Sequence, residues 1–459
     1  MDMRVLMSVI AVALIVAARG AFGAPEGEKA MGPFLVGVST RDITPEPGLA
    51  LWGYSDRKSN ATGTLDPLFA RAMVCRAADK TVALVTLDLG RVPAPAVCDR
   101  IRARAKGAGV DYVFMAASHT HHAPAMEAED APHVKAMEKS IGDIIEDAVK
   151  KLQPARIGVG RAQFDIAHNR RKLLDDGRCL MMWRNEEKVP TEPVDKEAGI
   201  IKITTADGKS LAVIVNFACH PVVMGPSNCQ YSADYVGEMA RIIKEQVGGE
   251  CLFLQGACGN INPYLDKTPL DKGGVESMRS VGRTCAEAVL AALKGIEAAA
   301  PAKPSVVFDE KKVAVGTRWD LTNPANQEVL RKAYGPRFDT YLKSIEPNLP
   351  VALSVVVLNG DVALVGMPGE IFVQYQLALK AGSPVRNTFL CGYANGFYGY
   401  FPTVRDAAAG GYGGTVATYV GLGAGDKLLS EAEVSVGMLT GVLRPLCAAT
   451  DFALLEKGD

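Results

Sequence analysis

The sequence predicts a mixed α/β protein, a single large domain with central β-sheets flanked by helices. Three observations predict it. Five apolar runs of strand length end in polar residues: Val113 to Ala117, Leu211 to Phe217, Cys251 to Leu254, Val362 to Val365 and Thr388 to Leu390. Other segments repeat apolar residues every three or four positions, as helices do when one face lies on a sheet. No composition break divides the chain. Its most linker-like stretch, Ala298-Ala-Ala-Pro-Ala-Lys-Pro304, runs straight into strand patterns at Val306-Val-Phe308 and Lys312-Val-Ala-Val315. It reads as a surface connection inside one domain spanning 32–459.

In chain order, residues 1–24 read as an export signal: Arg4, an apolar run from Val5 to Ala18, and small residues around Ala21-Phe-Gly-Ala24. The run is short for a bilayer span and Arg19 interrupts it. The expectation is a secreted or periplasmic protein with no stable membrane span. Phe34 to Thr40 is a strand entering a proline-fixed turn at Asp42-Ile-Thr-Pro-Glu-Pro47, and Leu68 to Arg76 and Thr81 to Leu89 are strands around a turn at Ala78-Asp-Lys80.

Helical spacing covers Ala96 to Ala105, then His133 to Leu152, where Val134, Met137, Ile141, Ile144, Ile145, Val149 and Leu152 share a face. Pro154 is expected to end that helix. Tyr235 to Val247 and Met278 to Leu293 are further helices. Asp320 to Pro350 is an irregular insertion with one helix near Gln327 to Tyr334.

The charges nearly cancel: 50 Lys and Arg against 51 Asp and Glu, net charge -1. Such a balance offers no long-range field for nucleic acid or another polyanion. An exported chain with 10 cysteines can carry disulfides. However, Cys75, Cys219, Cys251 and Cys391 lie in or beside apolar runs, where a thiol acts as a small hydrophobe. A few disulfides at most are expected, with Cys219–Cys229 and Cys251–Cys258 the conceivable local pairs.

The chemistry gathers around Ser118-His-Thr-His-His122. Only 6 histidines occur in the chain, and three fall in this pentapeptide. His119 and His121 are two apart, so on extended backbone they face the same way. His220 stands behind a second apolar run, and His220 and Glu370 can complete a site for a metal that keeps a position open for water. A polar cluster with buried, hydrogen-bonded histidines is the competing reading.

The motifs Ser118-His-Thr-His-His-Ala-Pro124, Asn169-Arg170, Asn216-Phe-Ala-Cys-His220, Ser232-Ala-Asp-Tyr-Val-Gly237, Gln255 to Pro263, Pro368-Gly-Glu370 and Asn395-Gly-Phe-Tyr-Gly-Tyr400 through Tyr412 resemble, in order, those of the neutral/alkaline (non-lysosomal) ceramidase family. The resemblance covers nearly the whole mature chain and implies that family's catalytic-domain fold. It also implies Zn2+ held by His119, His220, Glu370 and Tyr400. His121, Arg170 and Tyr412 would then be the acid/base and oxyanion-stabilising groups. Tyr400 as an ordinary pocket aromatic, and Arg170 as the partner of a carboxylate such as Asp165, are the plainer alternatives. His122 and His168 are expected in supporting or surface positions. Tyr412 lies in Gly410-Gly-Tyr-Gly-Gly414, a stretch able to close over substrate.

Two departures qualify the resemblance. The family carries a serine in Gly-Asp-x-Ser-Pro, and this chain has Gly259-Asn-Ile-Asn-Pro263, with Asn262 in the serine position. Asparagine forms no acyl-enzyme, so the expected nucleophile is zinc-activated water, with Asn262 donating a hydrogen bond to substrate or water. The family's further β-sandwich domain is expected to be absent, since the chain stops soon after the apolar stretch Val434 to Cys447.

The leading reading is an exported zinc-dependent hydrolase of an N-acyl amide, ceramide-like or related, acting on a small-molecule or lipid-like substrate. The alternative is a catalytically silent relative that serves as a metal or ligand receptor. A third reading makes Cys258 the nucleophile.

Overall fold

Apolar side chains alternate between two buried faces along the predicted runs, the pattern that makes a strand stable between layers. The computed structural model describes residues 32–126, 128–334, 348–415 and 417–443, and arranges them in three modules of one topology. In each, three successive strands pair antiparallel, a helix crosses over, a fourth strand pairs parallel with the third, and a second helix follows. The crossover is obligatory because no tight turn can join parallel neighbours.

The first module comprises β1 (Leu35–Asp42), β2 (Phe69–Ala77), β3 (Lys80–Leu87), α1 (Pro95–Gly107), β4 (Tyr112–Ala117) and α2 (Pro132–Lys150). The second comprises β5 (Gln153–Gln163), β6 (Glu197–Thr205), β7 (Ser210–Phe217), α3 (Asp234–Val247), β8 (Glu250–Gln255) and α4 (Gly274–Leu293). The third comprises β9 (Val306–Gly316), β10 (Asn348–Leu358), β11 (Val362–Gly366), α5 (Val373–Gly382), β12 (Asn387–Cys391) and α6 (Ala424–Leu439).

The first two modules fuse into an eight-stranded sheet, β8-β7-β6-β5-β1-β2-β3-β4, and the third forms a four-stranded sheet, β9-β10-β11-β12. The fusion is narrow: β1 meets β5 only at Leu35–Pro154 and Val36–Gln153. Between the sheets lie Met73, Leu84, Phe114, Ile214 and Leu252 against Val356, Leu364 and Phe389. The alternate residues Val74, Val85 and Met115 face Ile141, Ile144 and Ile145 of α2, while Val213 and Val215 face Met239, Cys285 and Val289 of α3 and α4. Val355 and Val365 face Leu379, Leu428 and Val436 of α5 and α6. The result is a helix–sheet–sheet–helix stack. Each fully buried Ile or Leu in it contributes about 1.5–3 kcal/mol relative to exposure.

Several expectations change in detail. Helix α2 already ends at Lys150, and Pro154 stands inside β5 beside Leu35. The two short strands expected near 306 and 312 are one continuous β9. Cys219, Cys229, Cys251 and Cys258 are free thiols, so neither local pair is bonded. The helix near Gln327 is Pro324–Tyr334. The export signal at 1–24, much of the insertion at 320–350 and the end of the 434–447 stretch lie outside the described residues. Among those described, no helix is long and apolar enough to cross a membrane.

The carboxyl ends of β4, β7, β8, β11 and β12 are stitched at one place. Ala117 N–H donates to Tyr393 O at 3.3 Å, Gly392 N–H to Gln255 O at 2.8 Å, and Met367 N–H to Cys391 O at 2.9 Å. Ligand sites in α/β sheets collect at such ends.

Candidate metal centre and active site

His119 leaves β4 in a left-handed conformation, φ 69°. It does not share the extended backbone expected of it, so the turn, not strand alternation, aims its ring. His119 Nδ1 lies 2.8 Å from Gly90 O. A carbonyl only accepts, so Nδ1 carries the proton and Nε2 holds a bare lone pair. His220, behind β7, repeats the device: its Nδ1 donates to Ile261 O at 3.0 Å. Backbone carbonyls thus select the same tautomer in both rings, the arrangement that outer hydrogen bonds impose on metal-binding histidines.

The two Nε2 atoms converge on one carboxylate oxygen. Glu370 Oε2 is 3.1 Å from His220 Nε2 and 3.6 Å from His119 Nε2. All three groups are buried. Burial holds His119 down to about 3, although the Glu370 carboxylate pulls it the other way, and keeps His220 well below its ordinary range, so both rings are neutral. Lone pairs facing a carboxylate repel unless a cation lies between them. The donor set therefore fits a divalent metal with a preference for nitrogen and oxygen.

His121 borders the same point, with Nε2 3.3 Å from His119 Nε2. Among the described residues, the ligand atoms of His119, His121 and His220 lie within 4.8 Å of one another. His121 is boxed by the rings of Trp52, 5.1 Å away, and Tyr54, 4.8 Å away. Gly53 makes the box possible: its φ is +106°, and a Cβ there would lie 2.4 Å from His121 Cγ. Burial, reinforced by His119 and His220, keeps His121 neutral, and its buried Nδ1 has no hydrogen-bond partner among the described residues.

On the opposite side, the short parallel ladder of Glu370–Ile371 with Tyr400–Phe401 sets Glu370 directly beside Tyr400. Arg170 Nη2 donates to Tyr400 Oη at 3.0 Å and to Gly259 O at 2.6 Å, while Nη1 donates to Asn262 Oδ1 at 3.1 Å. Burial raises the Glu370 carboxyl above the usual range, opposed by His119, Tyr400, Arg170 and Tyr393. It raises the Tyr400 phenol too, with Glu370 adding to the rise and the Arg170 charge opposing it. Arg170 stays charged despite its burial, since Tyr400 and Glu370 favour the cation.

Arg170 therefore has no part in the ion pairs of Asp165, which go to Lys188 and Lys196. Its guanidinium instead lies 5.0 Å from the Trp183 ring and 5.6 Å from that of Tyr412. Tyr412 is 43% exposed and sits at the rim with its ring centroid 5.4 Å from that of Tyr400.

Asn262 is already engaged. Besides accepting from Arg170, its Nδ2 donates to the buried Asp266 at 2.9 Å. Only its remaining N–H is free of these bonds. Cys258 is fully buried against Tyr393 Oη at 3.1 Å, and burial pushes its thiol upward, the opposite of what a thiolate nucleophile needs. His122 is no surface group: it is buried, with Nε2 donating to Met224 O at 3.1 Å and Nδ1 beside Arg57 and Asn228. His168 is likewise buried, donating to Met182 O at 2.8 Å.

Sequence reasoning passed over Trp52, Tyr54, Trp183 and Tyr393. The last stacks on His119 with ring centroids 3.9 Å apart. A signal existed in Leu51-Trp-Gly-Tyr54, since the chain has only 3 tryptophans, but an aromatic in a loop does not announce which ring it will cover.

Comparison with known proteins bears on the family and the fold. The model of the neutral/alkaline non-lysosomal ceramidase family, N-terminal, matches residues 34–256. The fold is similar to the crystal structure of neutral ceramidase from Pseudomonas aeruginosa, with a TM-score of 0.69 and 20% identity over 92% of this chain and 77% of that one. It is also similar to a ceramidase complexed with C2, with a TM-score of 0.67 and 21% identity over 89% and 75% of the two chains. Residues 34–256 of this chain are thus matched by the neutral/alkaline non-lysosomal ceramidase family, and the fold over most of the chain is that of the neutral ceramidases.

Proposed function

We propose that the protein is an exported, zinc-dependent hydrolase of N-acyl amides of the ceramide type. The observation that carries this reading is the meeting of two backbone-fixed imidazole lone pairs with the Glu370 carboxylate, beside a buried Arg170–Tyr400 pair. Tyr400 is the fourth ligand in this reading, with the Arg170 charge opposing the rise that burial and Glu370 impose on its phenol. Zinc in that position would supply Lewis acidity, polarising an amide carbonyl and acidifying water.

The chain's own residues supply the rest. His121, neutral and boxed by Trp52 and Tyr54, is placed to accept a proton from the attacking water at a ring nitrogen and then pass it to the leaving amine. Arg170, with Tyr412 above it, faces negative charge as it develops on the carbonyl oxygen. With Asn262 where the family has serine, water attacks the acyl carbon directly and the amine leaves with one proton.

A silent receptor is the second reading, and the engagement of Asn262 by Arg170 and Asp266 favours it. Metal analysis of the purified protein, followed by a screen of N-acyl amides, acyl esters and N-acylated sugars with Glu370→Ala as control, separates the two. Turnover abolished by the substitution supports the enzyme; tight binding without turnover supports the receptor. Wild-type protein that takes up no zinc ends the zinc-enzyme reading and leaves a receptor only for the organic ligand.

A further inference from the structure

His119 and His220 follow the ends of β4 and β7, and no backbone ladder joins those strands: β4 is one edge of the eight-stranded sheet, and β7 is separated from the other edge only by β8. Their separation must be set by something else. At the end of β8, the side chain of Gln255, 0% exposed, reaches between them. Its Nε2 donates to Ser118 O at 3.0 Å and to Cys219 O at 3.0 Å, and its Oε1 accepts from Cys219 N–H at 3.2 Å.

Ser118 immediately precedes His119, and Cys219 immediately precedes His220. The carboxamide offers the N–H and C=O of a peptide group, and here it takes the place of the missing ladder. Its backbone is anchored in turn, since Gln255 O accepts from Gly392 N–H of the third module at 2.8 Å.

We infer that Gln255 is the positioning residue of the metal centre, fixing the distance between the His119 and His220 rings by holding the peptide before each. The inference rests on the zinc reading above and adds a residue to which that reading assigns no role. Its physical content is geometric. Both hydrogens of Nε2 are spent on carbonyls from different strand ends, so the side chain can be neither shortened nor charged without letting the two segments part.

Gln255→Glu tests this sharply, because it keeps Oε1 for Cys219 N–H and turns an oxygen toward two carbonyl oxygens. The measurements are zinc affinity by competition with a chelator and the visible absorption of the Co2+-substituted protein. The control is Gln376→Leu, which removes another buried amide, one bonded to Ala257 N–H and Asp195. The expected result is zinc binding weakened about 10- to 100-fold in Gln255→Glu, with an altered Co2+ spectrum, and wild-type affinity per folded chain in Gln376→Leu. Wild-type affinity and spectrum in Gln255→Glu overturn the inference.

Should that variant not fold, hydrogen exchange of the Gln255 side-chain amide in the wild-type protein decides. By reciprocity, a clamp that tightens metal binding must itself be tightened by metal, so zinc should slow its exchange at least several-fold, and unchanged exchange overturns the inference. A wild-type chain that binds neither zinc nor Co2+ sinks the zinc reading, an outcome distinct from a wild-type chain that binds while Gln255→Glu binds equally well.

Discussion

Asp88 and Glu370 occupy comparable places in their modules, just past the third strand, and both are buried carboxylates. Asp88 is answered by its surroundings: Arg71 Nη1 lies 2.9 Å away and Phe69 N–H donates to it at 2.9 Å. Glu370 faces two imidazole lone pairs instead, with Arg170 reaching it only through the field and through Tyr400. One acid completes a structural ion pair; the other is left short of positive charge. The difference teaches that the repeated scaffold supplies burial, and that the neighbours then decide whether a buried carboxylate serves stability or chemistry.

The largest effect expected from this comparison is at Glu370. Glu370→Ala should abolish zinc uptake and reduce any turnover by about 10³-fold or more, yet leave the metal-free protein within about 1 kcal/mol of wild type, since an uncompensated group has been removed. Asp88→Ala should do the reverse. It strands the buried Arg71 charge, costing about 3–5 kcal/mol in urea unfolding, with zinc bound per folded chain unchanged. Comparable losses of apo stability in both variants would break the comparison.

Arg170 sharpens it. Arg170→Lys keeps a charge but cannot serve Tyr400, Gly259 and Asn262 together. A fall in kcat of about 10²-fold, with KM little changed, is expected in steady-state kinetics on whichever amide the screen identifies.

The smallest effect concerns pH. Asp234, buried at the start of α3, is raised by burial to about 7 from 3.8. The folded state therefore holds a proton that the unfolded state has lost, and this group's contribution to stability declines as pH rises from 3.8 to about 7. His122, whose Nε2 is 3.7 Å from Asp234, is lowered by burial to about 3 from 6.5, so its contribution is lost as pH falls through that range. The two slopes oppose. In Asp234→Asn only the histidine slope should remain, and the apo-protein Tm should climb more steeply between pH 4 and 7 than in wild type. An identical Tm profile in the two proteins would falsify the assignment of that slope to Asp234.

Much of the frame is visible in the order of residues. Val113 to Ala117 and Leu211 to Phe217 read as strands because both of their faces are buried, and α2 reads as a helix because Val134, Met137, Ile141 and Ile145 repeat at helical spacing. Pro154 misleads because its usual meaning is local. Inside β5 it sits where the ladder to β1 is beginning, and the helix before it has already ended. The histidine cluster stands out by composition, but the rotation that aims His119 is a backbone choice, φ 69°, that its own type does not announce.

What the chain alone determined is where apolar periodicity places strands and helices, and which few loops carry imidazole, carboxylate and phenol groups. Only the tertiary structure decided which of those groups share a point, because that depends on contacts between residues far apart in sequence. Gln255 is separated from Ser118 by 137 positions, and Glu370 from His220 by 150. Local propensity acts over a few residues. Convergence over such separations is settled only when three modules pack and their strand ends are brought to one place.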